Sequence, residues 1–121
     1  MSALDVALRY MEIFYSGRDL GRLTRILRED CQFQGPFFQF NSAQEYIASL
    51  KADPPRDCSY RILHAFEKDN IVNLIYEFAK PGITTNMSQL FHVQDGKIAR
   101  ILLIFDSAVF GGKKKDVERT E

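Results

Sequence analysis

The sequence predicts an α+β domain, with helices laid on one face of a mostly antiparallel sheet. Three observations carry this. Apolar residues recur at helical spacing in three segments ahead of Pro54. From residue 58 onward, branched and aromatic side chains fill four segments divided by short turn signals. The chain has 121 residues, the size of one domain and too few for two separate cores.

The first segment, Ala3 to Tyr15, leaves only Asp5, Arg9 and Glu12 for solvent, so it reads as a strongly buried helix. Ser2 with Asp5 three places on is a capping box, and Gly17 supplies the left-handed residue that ends a helix. Asp19 is placed to cap a second, shorter helix whose stripe is Leu20, Leu23, Ile26 and Leu27, antiparallel to the first. The stretch CQFQGPFFQF then changes period. Cys31, Phe33 and Phe37 take alternate places and Gly35-Pro36 breaks any helix, which predicts a short strand running into an aromatic loop. Ser42 with Glu45 opens a third helix through Tyr46, Ile47 and Leu50, and Pro54-Pro55 ends it.

Beyond the prolines, strands are predicted over 58–67, 70–80, 85–94 and 97–106, separated by KDN, PGI and DG, as a four-stranded meander with no parallel crossover. The element order is thus α, α, β, α, β, β, β, β. The domain spans residues 1–110. The ending over residues 107–121, dominated by GGKKKDVERTE, is polar and glycine-led and is expected to be a mobile tail, residues 111–121 being its flexible C-terminal part.

Sixteen basic residues balance sixteen acidic ones, so no positive field exists to gather phosphates, and nucleic acid is not expected as a partner. Arg18, Arg22, Arg25 and Arg28 recur at near-helical spacing beside Asp19, Glu29 and Asp30, which reads as a solvated helix face. Cys31 and Cys58 lack metal-ligand spacing and have no His cluster nearby, so neither a metal nor a disulfide is expected. With no signal-peptide pattern and no apolar run of membrane-spanning length, the sequence is read as cytoplasmic, without membrane association, its cysteines buried thiols.

The element order, the stretch YSGRDLGRLTRILREDCQFQGP after the first helix and FHVQDGKIARILLIFD in the last hairpin resemble the NTF2-like superfamily over nearly all of residues 3 to 110. Within it, LRYMEIFYSGRDLGRLTRILREDCQFQGP is similar to ketosteroid isomerases, and DGKI followed by IFD to the SnoaL-like branch. The resemblance implies a cystatin-like cone, three N-terminal helices on a curved sheet enclosing an apolar pocket. It also implies a homodimer made through the outer sheet face.

Ketosteroid isomerases use an aspartate base, with a tyrosine and a protonated aspartic acid holding the oxyanion. Carried over by resemblance, the tyrosine falls on Tyr10, the base on Gly35 and the protonated acid near Gln89. Glycine cannot take a proton and an amide cannot act as an acid, so that chemistry is disfavoured. SnoaL-type cyclases rely on an aspartate and a histidine in the sheet, for which the chain offers Asp106 and His92. Tyr10, Asp106 and His92 are therefore the candidate catalytic residues.

The expected pocket lining is Tyr10 and Phe14 from the first helix, Phe33, Phe37 and Phe40 from the first strand and its loop, and Tyr46 from the third helix. The sheet adds Tyr76, Phe78, Met87, Gln89, Leu103 and Phe105. Strand parity sets Met87, Gln89, Phe91 and Val93 inward with Ile101, Leu103 and Phe105, and turns His92 and Asp106 outward unless a bulge intervenes. His64 and Asn86 are further polar candidates; Glu77 falls on the wrong parity. Ile98, Leu102, Ile104, Leu90, His92 and Ile71 or Ile75 would form an apolar outer face that wants covering by a second copy.

Ten phenylalanines and five tyrosines with no tryptophan either fill such a cone or line a cavity for a flat apolar molecule. Two function classes stay open. One is a small hydrophobic ligand held in the cavity, with or without cofactor-independent isomerase, cyclase or hydratase chemistry. The other is a non-catalytic dimerisation module. Neither calls for a cofactor.

Overall fold

A computed structural model of the chain describes residues 1–111. Helix α1 runs over Ala3–Ser16, strand β1 over Leu27–Gln34, β2 over Gln39–Phe40 and helix α2 over Ala43–Ala52. Strands β3 (Ser59–Lys68), β4 (Ile71–Lys80), β5 (Ile83–Gln94) and β6 (Lys97–Ile104) follow. Short 3-10 turns span Leu20–Arg25 and Ser107–Phe110. All six strands form one sheet in the order β2-β1-β6-β5-β4-β3, with the helices on its inner face.

The caps on α1 are as the sequence predicts. The Ser2 hydroxyl accepts from the Asp5 N–H at 3.1 Å and the Asp5 carboxylate accepts from the Ser2 N–H at 3.2 Å. Gly17 ends the helix at φ 67°, its N–H bonding the Phe14 carbonyl. At α2 the Ser42 hydroxyl accepts from the Glu45 N–H, but the Glu45 carboxylate reaches one residue further back, to the Asn41 N–H. The two-residue turns Asp69-Asn70 and Asp95-Gly96 have positive φ throughout, which matches the right-handed twist of the strands they join.

Three expectations are corrected. The second helix is a 3-10 turn of six residues, because Asp19 itself sits at φ 51° and offers no side-chain cap. Leu27 and Arg28 consequently belong to β1, so the arginines do not share a helix face; Arg28 pairs instead with Asp30 at 3.0 Å. Second, the sheet is not wholly antiparallel. β1 lies parallel to β6, and the long return through α2 and the meander supplies the crossover that a parallel pair requires. Third, Ser107–Phe110 is a structured turn rather than the start of a tail; from residue 112 the expected tail lies outside the described residues.

The core lies between α1, α2 and the inner sheet face. Val72, Leu74, Tyr76 and Phe78 alternate inward along β4, and Met87, Gln89, Phe91 and Val93 along β5. On β6 a bulge changes the parity. His92 pairs with Arg100 but Val93 pairs with Ile98, leaving Ala99 as the extra residue. Ile98 therefore turns into the core, where it is fully buried, and leaves the outer face to which unbroken alternation assigns it. A second bulge at Leu63 of β3 likewise bends the edge of the sheet.

Candidate functional site

α1 closes the middle of the sheet but not its end. Tyr10 packs edge-on against Phe91, 5.4 Å between ring centroids, and seals the rows beneath. Past Phe14 the helix stops, and a cavity of about 520 Å³ opens between the end of α1, α2, the β1–β2 loop and the last turn. Its floor is Phe33, Phe78, Met87 and Leu103 from the sheet. Tyr46, Ser49 and Leu50 of α2 form one wall, with Phe14 and Tyr15 opposite. Gly35, Pro36, Phe37, Phe38 and Phe40 border it, and Phe105 and Phe110 complete the aromatic lining.

Two local features hold the mouth. Gly17 meets the Pro55 carbonyl so closely that a Cβ there would lie 2.5 Å from its oxygen, which ties the end of α1 to the Pro54-Pro55 segment of the rim. Phe110, on the turn capped by Asp106, stands 5.8 Å from Phe78, 5.1 Å from Phe105 and 6.1 Å from Phe37. The rim carries Asp53, Arg56, Cys58 and Lys80.

Of the expected ligand-contacting residues, Phe14, Phe33, Phe37, Phe40, Phe78, Met87, Leu103 and Phe105 do line this cavity. Tyr10, Tyr76 and Gln89 do not; they stand behind its wall as a buried polar network. The Tyr10 and Tyr46 hydroxyls are hydrogen bonded to each other, and the Tyr76 hydroxyl donates to Gln89 Oε1 at 2.7 Å. These pairs satisfy the polar atoms of the core: among the described residues no buried side-chain nitrogen or oxygen lacks a partner.

Burial holds every phenol of this cluster in its neutral form. Desolvation raises the pKa of Tyr10 well above the ordinary tyrosine value, with Tyr46 adding to it and Gln89 acting in the opposite sense. Desolvation likewise raises Tyr15 and Tyr46, and pushes Tyr76 up to about 12. Tyr46 is the member that both bonds Tyr10 and lines the cavity.

The remaining candidates stand apart. His92 is on the outer sheet face, in a shallow depression with Arg28, Asp30, Gln32, Gln94 and Arg100. Asp106 is exposed and accepts from the Ala108 N–H at 3.0 Å as the cap of the last turn. His64 and Asn86 are exposed and pair with Ile75 and Glu77 on the outer face. Gly35, where the isomerase base is carried over, does border the cavity: a Cβ there would lie 3.3 Å from the Phe33 ring and 3.7 Å from Leu103.

Alternation along β4 extends to Lys80 and would have found it, whereas Phe110 is hidden by the polar ending that follows it. The rim loop Pro54 to Cys58 carries no periodic signal. Among the described residues no group of three or more His, Cys, Asp and Glu side chains is set to hold a metal, and no helix is long and apolar enough to cross a membrane. Both cysteines are free thiols, Cys31 buried in the core and Cys58 at the cavity rim.

Comparison with known proteins bears on this architecture. The chain superposes on an NTF2-like protein of unknown function from Cytophaga hutchinsonii with a TM-score of 0.79 and 22% identity, covering 92% of this chain and 96% of that one. A candidate SnoaL-like polyketide cyclase from Jannaschia sp. CCS1 gives 0.76 at 12% identity, over 90% and 88% of the two chains. An LEH-like epoxide hydrolase from M. tuberculosis gives 0.72 at 15% identity, over 91% and 87%. At such identities the likeness establishes the fold alone. No curated protein matches the sequence. The SnoaL-like domain model matches residues 7–101, from within α1 into β6, and takes in Phe33, Phe78 and Met87 of the cavity floor. With that span matched, and with a sheet that superposes on NTF2-like folds, the chain belongs to the SnoaL-like family.

Proposed function

We propose that this SnoaL-like domain binds a flat, apolar small molecule in its aromatic cavity without a cofactor. The observation that carries the reading is the cavity itself. About 520 Å³ bounded by phenylalanine, methionine and leucine side chains is ligand-sized space that a filled core would not leave. Tyr46 is the route by which the buried tyrosine pair meets the ligand, so a carbonyl or hydroxyl on the bound molecule is oriented there, with Tyr10 as the positioning residue behind it.

Ketosteroid-isomerase chemistry is disfavoured by the same geometry. Gly35 brings no base to the cavity, Gln89 is engaged by Tyr76, and the one carboxylate lining it among the described residues, Asp53, is exposed at the rim. His92 stands on the outer sheet face and the Asp106 carboxylate is taken up in capping the last turn, off the cavity lining, so this reading assigns neither the role of acid or base of an isomerase, cyclase or hydratase. Binding is tested by titrating the protein with pyrene and following its fluorescence. Saturable one-to-one binding that is lost in Leu103→Trp, which fills the floor, is the expected result. Binding unchanged by that substitution would refute it.

The outer face is proposed to meet a second copy of the chain. Leu90, Leu102 and Ile75 lie there partly exposed beside Ile104 at 56% and Phe66 at 57% exposure, an apolar surface flanked by the Arg28, Asp30, His92 and Arg100 group. A two-fold pairing would cover the apolar part and set the polar flank at its edge. This location, rather than catalysis, is the role proposed for His92.

A further inference from the structure

The inner row of β4 reads Val72, Leu74, Tyr76, Phe78, Lys80: four buried side chains and then a charge. Lys80 is thus aimed by strand parity at the same space as Phe78, and it lines the cavity mouth. Its ammonium stands 5.7 Å from the centroid of the Phe110 ring, a position that holds a cation over an aromatic face while leaving its N–H donors open. The ion pairs among the described residues are Arg28 with Asp30 and Arg61 with Glu77, so Lys80 has no carboxylate partner there. Arg56 lines the same mouth from the loop after α2 and is likewise outside those pairs. The acids nearby are Asp53, at the C-terminal end of α2, and Asp57, next to Arg56 in sequence and off the lining.

We propose that the molecule held in the aromatic cavity carries a carboxylate, received at the mouth by Lys80 with Arg56 beside it. The inference rests on the binding reading above and names its ligand class: an apolar, ring-bearing body with one acidic end. Apolar walls keep water from the ammonium on one side, so an anion there is screened less than on an open surface. The body of the ligand meets phenylalanine, and its head meets the two cations that line the cavity among the described residues. A neutral ligand would leave Lys80 and Arg56 without an ion-pair partner among the described residues.

The test compares pyrenebutyric acid with its primary amide, which is the same size and uncharged. The acid is expected to bind about fivefold or more tightly than the amide at low salt, an advantage that shrinks as salt is added. In Lys80→Gln the ratio should fall toward one. Equal binding of the two probes to the unaltered protein would overturn the carboxylate while leaving the cavity reading intact. A preference kept in Lys80→Gln and lost in Arg56→Gln would overturn the assignment to Lys80. If neither probe binds, the cavity reading itself fails.

Discussion

At Gly17 two constraints meet in one residue: a left-handed φ of 67° and a carbonyl oxygen where a Cβ would have to go. Gly17→Ala is expected to destabilise the fold by about 2 kcal/mol or more, measurable by urea unfolding, because both the strain and the Pro55 contact must be relieved. The first constraint is legible in the sequence as a helix stop; the second is not, since the approach of Pro55 is set by packing. The tyrosines divide in the same way. Their number and helical parity are plain, but which of them faces the cavity depends on where α1 ends over the sheet, and that puts Tyr46 in front and Tyr10 behind. Tyr46→Phe should therefore weaken binding of a carbonyl-bearing probe, whereas Tyr10→Phe should cost about 1 kcal/mol of stability through the lost hydrogen bond. The phenols also set a pH limit. Their folded pKa values lie above the unfolded value near 10, so the folded state holds protons that the unfolded chain releases. Stability from these groups is full below about pH 10 and is lost as pH rises through the window toward the Tyr76 value of about 12. Far-UV circular dichroism across that range should show unfolding coupled to the rise of tyrosinate absorbance; tyrosines that ionise near their ordinary value of about 10 with the fold intact would contradict it.

At the scale of elements, the meander is the most legible part, because alternation of buried and exposed residues and the KDN and DG turns define β3 to β6 within a residue or two. What one-residue alternation cannot show is a bulge. Ala99 is inserted without any local signal, and its consequence is Ile98 in the core and one fewer isoleucine outside. The 3-10 turn over Leu20–Arg25 is misleading for a related reason: its apolar residues suit either helix type, and only the left-handed Asp19 and the pull of Leu27 into β1 decide between them. The last turn is the element that sequence composition hides best. Phe110 sits in polar surroundings yet contacts three rings of the cavity. Phe110→Ala should widen the mouth and weaken pyrene binding severalfold while leaving the urea midpoint nearly unchanged, since Phe110 is only partly buried.

For the whole molecule, the α+β class and the two-faced sheet follow from the order and periodicity of the segments, while the parallel β1–β6 pair does not, because nothing local in LREDCQFQ marks its partner. The outer face carries its own prediction: Ile104→Lys should shift the protein to a monomer by light scattering without loss of fold, if that face meets a second copy. The inner face carries the central claim, that the cone is a container. Methyl labelling separates the two faces directly, because Leu50, Met87 and Leu103 border the cavity and Leu90, Leu102 and Ile104 lie outside. On addition of pyrene, the methyl resonances of Leu50, Met87 and Leu103 should shift together and saturate, with Leu90, Leu102 and Ile104 unmoved. Shifts confined to the outer set, or none in either, would contradict the account.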